Sequence, residues 1–486
     1  MMCTAIATKA AIIVLALTGC LTGNQGAQRS LEPRIRNVET GVPPAVIVKG
    51  EAPDMFSITE MMAKLNVPGV SVAVIDQGKI QWAECYGVKE VGEEPLTVNT
   101  LFQAGSVSKP IVAMAALSLV AEGTLDLDVD VNRYLKSWRV PENELTGREK
   151  VTLRRLLSHT AGVSSFLADD GGPAGEAPTL LQILNGEPPA EGGPVSVDLV
   201  PGSEQRYSNE GYAIIQQLLI DVEGKPFPRI MKERVLEPLK MDRSTFAQPL
   251  PESLLPVAAT GHIGAGEPIE DKGLIYHNMG AGGLWTTPSD LARFAVEIQR
   301  SITGESSSVL PGEMTSAMLD DPVSGYGLGL GARGVGLGRT FGHSGHNAGF
   351  LCHMKALAEG GQGVVVMANS NKAIPLLEGI TMAVAREYEW PGDIAPREIE
   401  PFEITEEELS TYCGQYVIGD YVVTIGMEKE CLTISHFEGE DTLIPASDTL
   451  FLQQLDGIEL TFVKDGQNQV EAISLMGGRL TLTRIE

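Results

Sequence analysis

The stretch 104–123, AGSVSKPIVAMAALSLVAEG, decides the reading of this chain. It is a nearly unbroken apolar helix pattern that opens with two serines, a lysine and a proline. Proline is tolerated only in the first turn of a helix, so the helix must begin within about a turn of Pro110. Ser106 and Lys109 are three residues apart and share a face there. An ammonium at the mouth of a buried helix is badly placed unless it has chemistry to do. Free backbone N–H groups at the helix start favour negative charge. A partly desolvated lysine has a lowered pKa and can exchange a hydroxyl proton. Ser106 is therefore read as a nucleophile and Lys109 as its proton partner. Ser108 has Ile111 rather than a lysine three residues on, and is read as a capping or packing residue.

Working outward, a second element stands at 201–209, PGSEQRYSN, in a loop just before a helix. Tyr207 and Asn209 are two apart, and in an extended loop such residues point to one side. A phenol near a lysine ammonium is expected to lose its proton more easily and act as a base. An amide can orient an acyl substrate. A third element, GHSGHNAGF at 342–350, precedes a strand-rich region. Its glycines let a substrate approach a strand edge. A zinc set of His343, His346, Cys352 and His353 is set aside, because strand geometry does not gather four ligands and there is no HExxH. The acidic run 126–130 lacks the glycine an EF-hand loop needs at its sixth position. His159, at an apolar helix end, is read as structural. No G-x-S-x-G occurs.

In this order the S-x-x-K, Y-x-N and H-x-G elements, with LLSHTAG, GAGGLWTTPSDLARFA and GHSGHNAGF, resemble the serine β-lactamase and penicillin-binding-protein superfamily. The likeness is closest to its class-C-like branch, which holds class C β-lactamases, DD-peptidases, D-amino-acid peptidases and esterases, and it covers about 55–390. The resemblance implies an α/β (α+β) fold: a β-lactamase/transpeptidase-like mixed sheet flanked by helices, plus an all-helical lobe. It implies Ser106 as the acylated nucleophile, with Lys109 and Tyr207 handling protons. Asn209 would contact the substrate or the lysine, His343 and Gly345 would line the substrate strand, and the amides of Ser106 and His346 would form the oxyanion hole. Class C β-lactamases carry K-T-G where this chain has His343, a residue largely neutral near pH 7. A permanent anchor for the β-lactam carboxylate is thus missing.

The remaining organisation follows from composition. With 36 basic against 63 acidic residues the net charge is -27, so nucleic acid is excluded as a partner. Residues 1–20 have one lysine, then an apolar run too short to span a bilayer, for which ~20 residues are needed. That run ends at Leu17-Thr18-Gly19-Cys20, similar to a lipoprotein lipobox, so Cys20 is expected to be lipidated and the protein exported and held to a membrane only by that anchor. Residues 21–52 read as a tether, 53–390 as the hydrolase domain and 391–404 as a linker. Residues 405–486 read as a small antiparallel β-barrel-like domain. Four cysteines of the body leave disulfide pairing open. The expectation is a serine hydrolase without metal or organic cofactor, acting on small esters. D-amino-acid peptides and β-lactams are rivals within that chemistry, and a covalent wall-peptide sensor is the non-enzymatic one.

Overall fold

The computed structural model describes residues 25–165, 171–264, 266–321, 326–392, 394–419, 421–428, 431–436, 439–467, 469–478 and 480–485. The expected signal segment and Cys20 lie outside them. In chain order the elements that matter begin with α1 (Gln25–Glu39), β1 (Val46–Val48) and α2 (Ile58–Leu65). The hairpin β2 (Gly69–Asp76) and β3 (Lys79–Gly87) follows, then α3 (Ser108–Ala121), α4 (Asn209–Glu223) and α5 (Pro288–Ile302). The catalytic half closes with β4 (Gly331–Arg333), β5 (Thr340–Asn347), β6 (Phe350–Leu357), β7 (Gly363–Ala368) and α6 (Ile374–Glu387). Among the described residues no helix is long and apolar enough to cross a membrane.

The central sheet has the order β3-β2-β7-β6-β5-β4, each neighbouring pair antiparallel. The turn between β2 and β3 uses left-handed Gln77 and Gly78, the geometry a two-residue hairpin demands. Both faces of the sheet are covered, and the period-2 pattern divides each central strand between two cores. On β2, Ala73 and Ile75 join the core shared with α3, α4 and α5, whereas Val70, Val72 and Val74 join the core shared with α1, α2 and α6. On β7, Val365 and Met367 face the first core, and Val364, Val366 and Ala368 the second. Helix α5 starts where its sequence says it should: the Thr287 hydroxyl accepts from the Asp290 amide at 3.2 Å, with Pro288 at the first position.

From Ile35 on, the stretch expected to be a tether is built into the body. Ile35 and Val38 on one face of α1 pack into the second core with Val42, and Val38 and Val42 are fully buried. The Gly and Pro content of 21–52 concealed this short apolar spacing. The expected linker likewise carries a strand, β8 (Arg397–Ile399), which pairs in parallel with β1.

Beyond it, eight antiparallel strands close into a barrel, β9 (Gly414–Ile418) through β16 (Leu480–Arg484). Its interior is packed with side chains, among them Tyr412, Tyr416, Phe451 and Phe462, the last two edge to face at 5.2 Å. The barrel is therefore a solid block. It docks through Ile444 and Leu452 against Val46, while Leu455 is buried in the second core of the catalytic half. The amides of Ala45 and Val46 donate to the carbonyls of Leu455 and Gln454 at 3.3 and 3.0 Å. Deleting 394–486 should consequently lower the melting temperature of the catalytic half, because Leu455 and the β1 partner leave with it. Calorimetry of the truncated chain checks this, and an unchanged midpoint would mean the two halves are energetically independent.

Candidate active site

Ser106 sits in a single 3-10 turn, Gly105–Val107, immediately before α3. Residues 108–119 of α3 are all buried, so the start of the helix, and Lys109 with it, is carried into the protein interior. Lys109 resolves its own burial by hydrogen bonding. Its Nζ donates to Ser106 Oγ at 2.9 Å, to Asn209 Oδ1 at 2.8 Å and to the Ala281 carbonyl at 2.9 Å. All three ammonium protons thus have acceptors, and once one proton is lost the Nζ lone pair can accept from the Ser106 hydroxyl. Burial pulls the Lys109 pKa down to about 7, with the nearby Glu210 carboxylate pulling the other way. Lys109 is thereby poised between its two forms at neutral pH.

Asn209 and Tyr207 arrive together, as their spacing predicted, because Ser208 between them caps α4 by accepting from the Gly211 amide at 3.1 Å. Lys109 Nζ lies 4.8 Å from the centroid of the Tyr207 ring. The phenol does not behave as the sequence suggested. Burial pushes its pKa up, against a hydrogen bond with Ser106 that favours the charged form. At neutral pH Tyr207 is a phenol, not a phenolate.

The third element lies on β5, at an angle the glycines make available. A Cβ on Gly345 would collide with the Ala104 carbonyl oxygen and stand 3.0 Å from the Ser106 nitrogen. Gly105, at φ +52°, has the reciprocal constraint, since its Cβ would lie 2.5 Å from the His346 nitrogen. Two backbones are in direct contact here, and the Ser106 and His346 nitrogens both lie at that contact. Strand β4 pairs only with residues 340–342 of β5. Among the described residues no strand pairs with the outer edge of 343–347. His343 is held neutral, its pKa pulled down to about 4 by burial and by the Lys109 charge. Its ring centroid is 6.3 Å from that of Tyr207, and its Nδ1 is 2.6 Å from the Ser344 carbonyl. His346 is exposed, with Nε2 3.3 Å from Asn371 Oδ1.

Ser106, Lys109, Tyr207, Asn209, His343, Gly345 and the His346 backbone thus converge on one place. Side-chain logic missed three participants. The Ala281 carbonyl is a backbone group, and only the glycine-rich run around it hinted at a close approach. Glu210, buried and hydrogen-bonded by the Ser208 hydroxyl at 2.8 Å, reads in sequence as an ordinary first-turn acid. His159 stacks on Tyr207 with centroids 4.4 Å apart, and its Nδ1 accepts from the Ser208 amide at 3.2 Å. It supports the Tyr207 loop, which is more than packing at a helix end. Among the described residues no group of three or more His, Cys, Asp or Glu side chains is disposed to hold a metal ion. Cys352 is buried in the first core, and His353 Nδ1 is 3.0 Å from Ser344 Oγ. Cys85, Cys352, Cys413 and Cys431 are all free thiols.

Comparison with known proteins identifies the segment that holds these groups. The sequence profile of the family described as Beta-lactamase matches residues 57–388, which hold every one of these groups. The chain belongs to the beta-lactamase family. Among curated members it is 30% identical over 241 residues to a beta-lactamase of Pseudomonas fluorescens, covering 49% of this chain and 62% of that one. It is 24% identical over 188 residues to protein flp of Staphylococcus aureus (strain N315), covering 38% and 36%. The chain thus spans less than two thirds of the length of these relatives. Of solved structures, the octameric penicillin-binding protein homologue from Pyrococcus abyssi is 24% identical, with TM-score 0.59 over 88% of this chain and 98% of that one. The D-amino acid amidase from Ochrobactrum anthropi SV3, complexed with L-phenylalanine amide, is 22% identical, with TM-score 0.54 over 68% and 95%. At such identity these two likenesses establish the beta-lactamase-type fold alone.

Proposed function

We propose that this chain is a serine hydrolase that works through an acyl-enzyme on Ser106, with small esters as its preferred substrates. The observation that carries the reading is the 2.9 Å hydrogen bond between Ser106 Oγ and a buried lysine whose pKa has fallen to about 7. Neutral Lys109 takes the Ser106 proton as Oγ attacks the acyl carbon. The amides of Ser106 and His346 receive the developing oxyanion. Tyr207, a phenol at working pH, hands its proton to the departing alcohol and recovers it from Lys109. Water then hydrolyses the acyl-enzyme by the reverse route. Asn209 holds Lys109 and faces the acyl group, and the open edge of β5 beside His343 and Gly345 supports the substrate.

Neutral His343 argues for an ester over a β-lactam, because it supplies no fixed charge for a substrate carboxylate. The unpaired edge of 343–347 favours a second reading, a D-amino-acid amide or peptide laid along it as an added strand. We also propose export and lipid anchoring at Cys20, which globomycin-sensitive processing and palmitate labelling of the full chain would test.

The functional test sets p-nitrophenyl butyrate, a chromogenic cephalosporin and D-phenylalanine amide side by side, with Ser106→Ala as control. Multiple ester turnovers lost in the mutant, with little cephalosporin cleavage, are expected. Fast amide release instead transfers the assignment to the peptide class. Rapid cephalosporin cleavage would make the enzyme a β-lactamase in activity as well as in fold. One covalent adduct per chain with no cycling would make it a sensor and end the enzymatic reading.

A further inference from the structure

The oxyanion strand and the base of the candidate site come from different segments, and their separation has to be held. The helical turn Met279–Gly282 brings the Ala281 carbonyl to Lys109 Nζ at 2.9 Å. The last carbonyls of a helix have no partner within it and are available to side chains. Each one here is used. Next to Ala281, the Gly282 carbonyl accepts from Asn347 Nδ2 at 2.9 Å and the Gly283 carbonyl from Gln248 Nε2 at 2.9 Å. The turn is also fixed to the nucleophile segment. The Leu284 amide donates to Ser108 Oγ at 3.1 Å, and the Leu284 carbonyl accepts from the Ala104 amide at 2.9 Å.

Asn347 stands at the junction. It is the last residue of β5 and follows His346, whose nitrogen lies against the nucleophile turn. Its side chain is buried, and Nδ2 uses both protons, one on Gly282 and the other on Gln103 Oε1 at 2.7 Å. Gln103 is buried too, three residues before Ser106, and its Nε2 donates to the Leu274 carbonyl at 2.9 Å. The carbonyls of Leu274 and Gly282 can only accept, so the two ends of this relay fix which way each amide points. Aspartate and leucine have the shape of Asn347 without its protons, and serine has one proton on a shorter arm.

We propose that Asn347 is a positioning residue that locks the oxyanion strand to the turn holding Lys109. The path runs from the His346 amide through the Asn347 side chain and the Gly282 carbonyl to the Ala281 carbonyl and Lys109. The proposal rests on the acyl-enzyme reading of this site. Without the lock, β5 and the turn shift against each other, and a displacement near 1 Å costs about 10² in rate. The Lys109 ammonium also loses a well-placed acceptor, which favours its neutral form and moves its titration to lower pH. That second effect alone would supply more neutral lysine, not less. A fall in rate at pH 9, above the Lys109 titration near 7, therefore reports alignment.

The test compares the full chain with Asn347→Leu, a change of similar shape that removes both donors. With saturating p-nitrophenyl butyrate at pH 9, kcat should fall about a hundredfold while KM changes little. In protein labelled with carbon-13 at the lysine ε carbons, the Lys109 signal is the one missing from Lys109→Met. Its midpoint, about 7 in wild type, should move about one pH unit lower in Asn347→Leu, the weight of one hydrogen bond to a charged group. Asn347→Ser keeps one donor and leaves room for water, and it serves where the leucine variant does not fold. It should lose about tenfold in kcat and move the midpoint in the same direction. A variant that melts as wild type does and keeps its kcat overturns the proposal. So does a lysine midpoint that stays in place. No ester turnover by wild type would count against the hydrolase reading, and the lysine midpoint would still decide the lock.

Discussion

Lys109→Met should lower ester turnover by about a thousandfold, within the ~10²–10⁴ range that removal of a positioned general base produces. Methionine fills the same buried channel, so loss of activity should come with an intact fold. The wild-type rate should rise with pH through about 7, as Lys109 gives up its proton. The variant should lose that inflection along with its rate. An unchanged kcat for the variant would remove Lys109 from the mechanism. Stability gives an independent readout with a definite sign. The folded-state pKa is depressed from 10.5 to about 7, so between those values the unfolded chain binds more protons than the folded one. Unfolding free energy therefore increases with pH across that window, by at most about 1.4 kcal/mol per unit from this group. Wild type should gain on Lys109→Met between pH 7 and pH 9.5 in urea melts. Parallel curves would mean that Lys109 is charged in the folded protein and that it is not the resting base.

Gly345→Ala is the second large effect. The added methyl would press on the Ala104 carbonyl and approach the Ser106 nitrogen, so β5 must move away from the nucleophile turn. Losing the alignment of one oxyanion donor costs about 10²–10³ in kcat, and a displacement near 1 Å alone costs about 10². A fall of that size in kcat, with a smaller change in KM, is expected. Gly147→Ala is the control, because a Cβ there meets nothing within 4 Å. If Gly345→Ala retained wild-type kcat, the His346 amide would not serve the oxyanion.

The groups of the candidate site were legible because they are side chains with a required spacing. Ser106 and Lys109 share one turn, Tyr207 and Asn209 flank the Ser208 cap, and glycine alone fits at 345. What stayed hidden belongs to the tertiary level. The third acceptor of Lys109 is a carbonyl, and no sequence pattern marks the direction of a carbonyl. Tyr207 was expected to ionise more easily because the lysine is near, but desolvation of the phenol dominates and raises its pKa, and the extent of that burial depends on neighbours such as His159. The same holds for 25–52. Its few apolar residues look like those of a polar leader until α2 and α6 supply the surface they cover. The barrel was visible as alternation, whereas its filled interior depends on which faces of eight strands turn inward.

The register of the central sheet has a consequence for synthesis. Residues 70–75 of β2 pair with residues 363–368 of β7, and the rest of the sheet assembles on that pair. Nearly three hundred residues must leave the ribosome in between, which at ~5–20 residues per second takes roughly 15–60 s. The β2 edge that β7 will occupy stays unpaired for that time, and contacts this distant in sequence are slow to form once they become possible. A strand buried from Gly69 through Ile75 in the finished sheet is thus made early and waits for its partner in the nascent chain, and it is there that a holding chaperone would have the most to protect.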